Sequence, residues 1–515
     1  MKWICCTALW LLFGWGAGLV VAAVPARPNV VIFLVDDMGV MDTSVPFLVG
    51  ENGKPVVHPL NRFYRTPNME QLAARGIRFS QFNAMSVCSP SRVTIMTGQN
   101  AARHRTTNWV NAGQNNKGDK GPPEWKWEGL KQSDVTLARI LHEAGYQTFH
   151  VGKAHFGAGA DPLLLGFDKN IAGGGMGQPG SYFSEQWYGN KPTGKQMRPQ
   201  RNAVPHLEKY HDSGVFLTEA LTLEANSLID SAVKSDKPFF LHFAHYAVHS
   251  PFQDDPRFIN NYPEDSQYPR LRSFAALIEG MDKSLGDLLA ELDRTGVAEQ
   301  TLVIFLGDNG SDAPRGREHE IGSSEPLRGK KGTHYEGGVR APCLVAWARP
   351  NAEHPQQKKF PITPGAVQTQ LTTICDLFPT VLDACDVDVP TRHVVDGKSW
   401  KRLLNGQPDP EHPTTFLMHY PHQHRSPYFT SYRNGDWKVI YHYFPSDVSE
   451  NERYQLYDLK NDPAEQTNLA ASRPEELTRM MGELIAGLTA ANALFPVDPE
   501  TKQPAPPRMP AAAAK

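Results

Sequence analysis

Cysteine is scarce: six in 515 residues, and two of these, Cys5 and Cys6, fall in an apolar N-terminal run. The four that remain, Cys88, Cys343, Cys375 and Cys385, are too few for a disulfide framework in a chain of this length. An excess of one charge is lacking too. The formal net charge is −3 with 21% charged residues, so the overall balance points to no nucleic-acid partner, while a local basic cleft stays compatible with it. Beyond Pro25 no run is long and apolar enough to span a membrane. No repeat of fixed period is visible, which sets solenoids and propellers aside.

What is present begins with Met1-Lys2 followed by an uncharged stretch from Trp3 to Pro25. With small residues at Ala22 and Ala23, it predicts an export signal removed near Ala23. An uncleaved anchor is the alternative. The mature protein is then expected to be soluble, off the membrane, and secreted or periplasmic.

A strand covered on both faces is predicted by "NVVIFLVDDMG", residues 29–39, which stops at Asp36-Asp37. "TPNMEQLAARG" predicts a helix capped by Thr66, with Pro67 in its first turn and Gly76 as its stop. A helix in "DVTLARILHEAGY" leads to a strand in "QTFHVGKAHFG". This alternation argues for a mostly parallel sheet between helices. Residues 157–212, rich in Gly, Pro, Asn and Gln, read as long surface loops. The helix "FLTEALTLEANSLIDSAV", the strand "PFFLHFAHYAV", a long helix from Leu271 to Thr295, the strand "TLVIFLGDNGS" and the helix in "DLFPTVLDACDV" complete the main domain. From Thr414 the texture changes to alternating polar and aromatic residues around Asn434-Gly435, predicting a small antiparallel sheet backed by "PEELTRMMGELIAGLTAAN". The expected organisation is a signal at 1–23, an α/β domain at 24–413, a sheet-plus-helix subdomain at 414–497 and a disordered low-complexity tail at 498–515.

"NVVIFLVDDMG" and "TLVIFLGDNGS" are far apart yet nearly the same in pattern, each a buried run ending in two oxygen-bearing side chains. Parallel neighbours in an open α/β sheet bring such ends together. Asp36, Asp37, Asp308 and Asn309 would then converge. A set of hard oxygen ligands without His or Cys suits Ca2+, with Mg2+ as the alternative. Without a cation, carboxylates so close raise one another's pKa. Either pair alone would read as a turn cap; two matched pairs on matched strands read as a metal site.

Cys88-Ser89-Pro90-Ser91-Arg92, with Thr97-Gly98 further on, resembles the signature of the formylglycine-dependent sulfatases of the alkaline-phosphatase superfamily. The resemblance spans nearly the whole mature chain. It implies an α/β, alkaline-phosphatase-like fold with a large, mostly parallel central sheet between helices and a smaller C-terminal antiparallel-sheet subdomain. It also implies that a maturation enzyme oxidises Cys88 to 3-oxoalanine (formylglycine), which joins the metal ligands. Of the hydrate's two geminal hydroxyls, one attacks sulfur and the other then expels sulfate. A helix N-terminus at Cys88 favours an anion there, and a cation eases deprotonation of the attacking hydroxyl.

By the same resemblance Arg92 braces the formylglycine. Lys153 contacts sulfate, and His155 holds the formylglycine hydroxyl. These two lie in "VGKAHFG", where Ala154 and Phe156 replace the family's usual Trp and Leu. His249, in "HSPF", is the candidate acid for the leaving oxygen, whereas His242 and His245 read as structural. "PLRGKKGTHYEGGVRAP" aligns the family's catalytic lysine with Lys331, next to Lys330, and Glu336 and Arg340 read as a structural pair. Such cations around a metal suit transfer of an anionic group.

The expected function is a sulfatase acting on a sulfated carbohydrate, galactose-type or glycosaminoglycan. A formylglycine-dependent phosphodiesterase or phosphonate monoester hydrolase, and a non-catalytic glycan-binding protein, are the alternatives. "ARHRTTNWVN" offers Arg103, His104, Arg105 and Trp109 to such a sugar, and "HYPHQHRSPYF" offers His422, His424, Arg425 and Tyr428. Arg105, Trp109, His424 and Arg425 are the selected candidates for substrate binding.

Overall fold

In a computed structural model, residues 27–110, 118–125, 129–192, 200–445 and 453–511 are described. The expected signal at 1–23 lies outside them. Among the described residues no helix is long and apolar enough to cross a membrane.

The strands, in chain order, are β1 (Asn29–Val35), β2 (Ile77–Phe79), β3 (Phe82–Asn83), β4 (Gln147–Gly152), β5 (Lys169–Ile171), β6 (Phe239–Ala244), β7 (Thr301–Gly307), β8 (Cys343–Trp347), β9 (Ala366–Gln368), β10 (Thr372–Thr373), β11 (Thr415–Tyr420), β12 (Phe429–Asn434), β13 (Trp437–His442) and β14 (Tyr454–Asp458). Eight of them form one sheet in the order β5-β4-β6-β1-β7-β8-β2-β9. Only β8 runs antiparallel, to β7 on one side and β2 on the other. The expected large, mostly parallel sheet is what is observed.

Side-chain alternation along β1 explains why its sequence is apolar throughout. Val30, Ile32 and Leu34 join a core on one face of the sheet, with residues of the helices Cys88–Thr97, Leu137–Glu143 and Leu377–Ala384. Val31, Phe33 and Val35 join a core on the other face, with the helices Pro67–Arg75, Leu217–Ala232 and Leu271–Arg294. β11 to β14 form a separate antiparallel sheet, whose apolar face packs on the helix Pro474–Ala490.

Three local expectations need correcting. Thr66 stands at the N-cap of Pro67–Arg75 but makes no side-chain cap; its hydroxyl bonds Thr43 and Ser44 instead. Asp282 does the capping from a distance, accepting the N–H groups of Asn68 (3.0 Å) and Met69 (2.8 Å). The described part of 157–212 is only partly surface loop, because Ala172, Tyr182, Tyr188, Val204 and Leu207 are wholly buried while Leu163 and Leu164 are exposed. Glycines and prolines made that segment irregular without keeping all of it on the surface. The low-complexity tail is docked as far as Met509. Val497 and Pro504 form a β-bridge, and the Tyr454 hydroxyl donates to the Arg508 carbonyl at 3.1 Å.

Candidate active site

β1 and β7 pair in parallel from Asn29–Thr301 to Val35–Gly307, so Asp36 and Asp308 leave the sheet side by side. All four expected metal ligands, Asp36, Asp37, Asp308 and Asn309, are fully buried. Asp37 adopts a left-handed backbone (φ 61°), at a cost of about 1–3 kcal/mol that the surrounding bonds must offset. Its N–H donates to Asp308 Oδ1 at 3.1 Å.

Cys88 is the first residue of the helix Cys88–Thr97, whose N-terminus carries no side-chain cap. Sγ of Cys88 and carboxylate oxygens of Asp36 and Asp308 all lie within 4.8 Å of one another. Arg92, one turn along, is wholly buried: Nε donates to Asp308 Oδ2 (2.8 Å), one terminal nitrogen donates to the Lys153 carbonyl (2.5 Å), and the other lies 3.5 Å from Asp36. It therefore braces the carboxylates on either side of Cys88.

The lysines divide the remaining charge. Lys153 Nζ donates to Asp36 at 2.6 Å and is fully buried; it is not among the residues that line the cavity, although its charge acts on Cys88. Lys331 Nζ lies 2.6 Å from Asp37 and lines the cavity. Its neighbour Lys330 turns away to the Ala313 carbonyl (2.9 Å) and Asp312 (3.6 Å). The geometry thus separates two adjacent lysines that the sequence leaves ambiguous.

Electrostatics follow from these partners. Burial, then the neighbouring charge of Asp36, pushes Asp308 up to about 6, and burial raises Asp36 as well. Asp37 departs from the mutual repulsion expected of close carboxylates. Burial opposes its charge, but Lys331, His249 and Lys153 hold it well below the usual range. Burial raises the Cys88 thiol, which makes the unmodified thiol a poor source of thiolate.

A cavity of about 410 Å³ opens over this cluster, lined by Cys88, His155, His249 and Lys331 among others. His249 donates Nδ1–H to the Ser250 carbonyl (2.8 Å), leaving Nε2 3.5 Å from Asp37. Burial draws its pKa down to about 4. His155, also left-handed (φ 53°), bonds the Val110 carbonyl through Nε2, while Nδ1 makes no hydrogen bond among the described residues. Gly177 is required beside it, since a Cβ there would meet the His155 ring at 2.8 Å.

Of the expected sugar-binding residues, Trp109, His424 and Arg425 line the cavity and Arg105 does not. Arg105 ends a short helix and donates outward to the Asn492 carbonyl (3.2 Å). Arg103 pairs with Asp396 (2.7 Å), His104 contacts Thr94 (3.1 Å) and His422 contacts Thr107 (2.6 Å); Tyr428 is buried, as are the structural His242 and His245. Gln178, Arg201, Asn202 and Asp312 complete the wall and were missed. The first three lie in the segment read as surface loop. Asp312 follows Asp308-Asn309 closely enough to have been suspected, and it forms a bidentate pair with Arg425 at 2.5 and 3.1 Å.

The donor set fits a hard divalent cation. Asp36 Oδ1 and Asn309 Oδ1 are buried acceptors that receive no hydrogen bond among the described residues, Asp36 Oδ1 having only the Arg92 guanidinium at 3.5 Å, and such oxygens are costly unless something else satisfies them.

Strand-end carboxylates beneath a helix N-terminus, on a large parallel sheet with a small antiparallel subdomain, define a hydrolase of the alkaline-phosphatase superfamily. Residues 28–387 match the family model described as Sulfatase, and residues 330–491 match that described as N-sulphoglucosamine sulphohydrolase, C-terminal. N-acetylgalactosamine-6-sulfatase of Mus musculus is 31% identical over 399 residues, covering 76% of this chain and 69% of its own length. Arylsulfatase A of Homo sapiens is 29% identical over 513 residues, covering 91% and 88%. Among solved structures, Ps i-CgsB in complex with k-i-k-neocarrahexaose superposes with a TM-score of 0.67 at 23% identity, over 90% of this chain and 93% of that one. The chain belongs to the sulfatase family and is a sulfuric ester hydrolase.

Proposed function

We propose that the protein is an exported sulfatase of a sulfated carbohydrate, secreted or periplasmic, working through formylglycine made from Cys88 by a maturation enzyme and through Ca2+. The observation that carries this reading is the position of Cys88. It heads a buried helix, lies beside Asp36 and Asp308, and faces a cavity that also holds Lys331, His155 and His249.

Asp36, Asp37, Asp308 and Asn309 would hold the cation, which lends Lewis acidity to the sulfate oxygens and the attacking hydroxyl. Formylglycine at position 88 would, as its hydrate, supply a nucleophilic hydroxyl and a second hydroxyl for the release of sulfate. Every other role falls to this chain's own side chains. Arg92 and Lys153 hold Asp308 and Asp36 in place. Lys331 brings a cation to the cavity wall, suited to an equatorial sulfate oxygen. His249 has its Nδ1 tied to Ser250, so Nε2 is the nitrogen to protonate the leaving oxygen. Burial, with the charges of Lys331 and Lys153, disfavours that imidazolium, while Asp37 favours it; an anionic ester beside it would restore the charged form. The Nδ1 of His155, unbonded among the described residues, would hold and return a proton at that hydroxyl.

A carbohydrate is favoured by the cavity wall. The rings of Trp109 and His424 stand 6.1 Å apart, and Gln178 and Asn202 add amides for hydroxyl recognition. The named relative acting on an N-acetylgalactosamine 6-sulfate supports a galactose-type or glycosaminoglycan sugar. The test compares product release from paired aryl sulfate and aryl phosphodiester substrates and from a panel of sulfated mono- and oligosaccharides. Sulfate release, including from at least one saccharide, is expected. Faster phosphodiester cleavage, or no saccharide turnover, overturns the reading.

A further inference from the structure

A second cavity, of about 260 Å³, lies on the C-terminal subdomain, lined by Tyr441, Tyr443, Phe444, Arg453 and Arg508 among others. Arg453 stands 5.7 Å from the Tyr441 ring centre. One terminal nitrogen donates to the Tyr441 hydroxyl (3.1 Å) and the Tyr443 carbonyl (3.0 Å), fixing the guanidinium while its other nitrogens stay unbonded among the described residues. Arg508 is anchored through its carbonyl by Tyr454, and its guanidinium makes no hydrogen bond or ion pair among the described residues. The one carboxylate on the wall, Asp498, is engaged in a turn, accepting the N–H groups of Glu500 and Thr501 at 2.9 Å each. Beside this cavity, Lys120 Nζ sits 4.4 Å from the Phe444 ring centre. Guanidinium groups with open donors beside aromatic faces suit a ligand with apolar sugar faces and anionic substituents.

Topology ties this cavity to the active site. Tyr420 pairs with Phe429, and Phe429 with His442. The 421–428 connection, which carries His424 and Arg425 to the catalytic cavity, therefore leaves the sheet at the same end as 443–445. Tyr428 and Phe444 meet there edge-on, 5.2 Å apart.

We propose that this second cavity is a saccharide-binding subsite that holds an anionic segment of a polymer whose sulfated residue enters the catalytic cavity. The inference rests on the carbohydrate-sulfatase reading for its biological sense and on Arg453, Arg508 and the adjoining rings for its chemistry. The test is affinity electrophoresis of the whole protein through gels containing dextran sulfate, plain dextran or single-stranded DNA, with sulfate release from small sulfated saccharides measured on the same preparation. Dextran sulfate alone should retard the protein. Arg508→Ala, whose guanidinium makes no hydrogen bond or ion pair among the described residues, and Arg453→Ala/Arg508→Ala should weaken that retention tenfold or more, and Phe444→Ala severalfold. Wild-type protein that is not retarded, variants retained like wild type, or equal retention by DNA overturns the subsite. Retention lost in the variants while no small saccharide releases sulfate overturns the carbohydrate-sulfatase reading and leaves the subsite standing.

Discussion

Lys438 on β13 is where a single substitution should most clearly weaken the joint between the small sheet and the loop that carries Lys331. Its ammonium lies 3.0 Å from Glu336 and 2.8 Å from Glu465, with all three side chains 3% exposed or less. Arg340 and Arg433 both address the other oxygen of Glu336, so neither covers Glu465. Glu465 in turn accepts the Glu336 N–H at 2.6 Å, holding the short helix Glu336–Val339 that follows Lys331. Breaking one partner out of a buried ion pair costs about 3–5 kcal/mol. Burial already pushes Glu465 up to about 7, so a Lys438→Met variant can shed that charge by binding a proton, and the cost at pH 7 falls to roughly 2–3 kcal/mol. A carboxyl raised above its ordinary 4.5 stabilises the fold at low pH and loses that contribution as pH rises through its folded value. In wild type the loss ends near pH 7; in the variant Glu465 titrates higher, so the penalty keeps growing above pH 7, by up to about 1.4 kcal/mol per pH unit. Chemical denaturation of wild type, Lys438→Met, Glu465→Gln and the double variant at pH 6 and 8.5 measures this. The penalty should be larger at pH 8.5, and Glu465→Gln should remove the growth. A penalty independent of pH, or strict additivity of the two changes, would refute the reasoning.

Two further outcomes are expected. His245 is buried, bonded to Ser284 at 2.9 Å, and held down to about 3 by burial. Its contribution is therefore full above its unfolded pKa near 6.5 and is lost as pH falls toward 3. His245→Asn should flatten the decline in stability between pH 7 and 4.5 by about 2–3 kcal/mol, and an unchanged slope would contradict this. Chelation should lower both the melting temperature and sulfate release, and Ca2+ at a hundredfold over its Kd should restore about 2.7 kcal/mol. Asp308→Asn should blunt the response, whereas a melting temperature indifferent to chelator would exclude the proposed ligand set.

The sheet was legible because β1 and β7 are buried runs of unusual purity, and burial on both faces leaves no other reading for them. The meeting of Asp36 with Asp308 was legible for the same reason: parallel pairing in register brings two similar strand ends together. Lys331 and Lys330 were not separable by spacing, since only the backbone path of the glycine-rich loop decides which ammonium meets Asp37. Arg105 was misread because composition reports that a basic side chain is near, not which way the helix C-terminus turns it. Gln178, Arg201 and Asn202 were lost in a segment whose glycine and proline content hides how deeply it packs. The capping of Pro67–Arg75 by Asp282 joins residues more than two hundred positions apart, beyond the reach of any local rule.

The central claim, that Cys88 acts through what it is converted to, is tested most directly by mass spectrometry of the peptide spanning Cys88 in protein whose specific activity is known. An aldehyde in place of the thiol, in a fraction that tracks sulfate release across preparations with and without the maturation enzyme, is the predicted result. Fully active protein carrying an unmodified Cys88 thiol, or a Cys88→Ser variant with wild-type turnover, would contradict it.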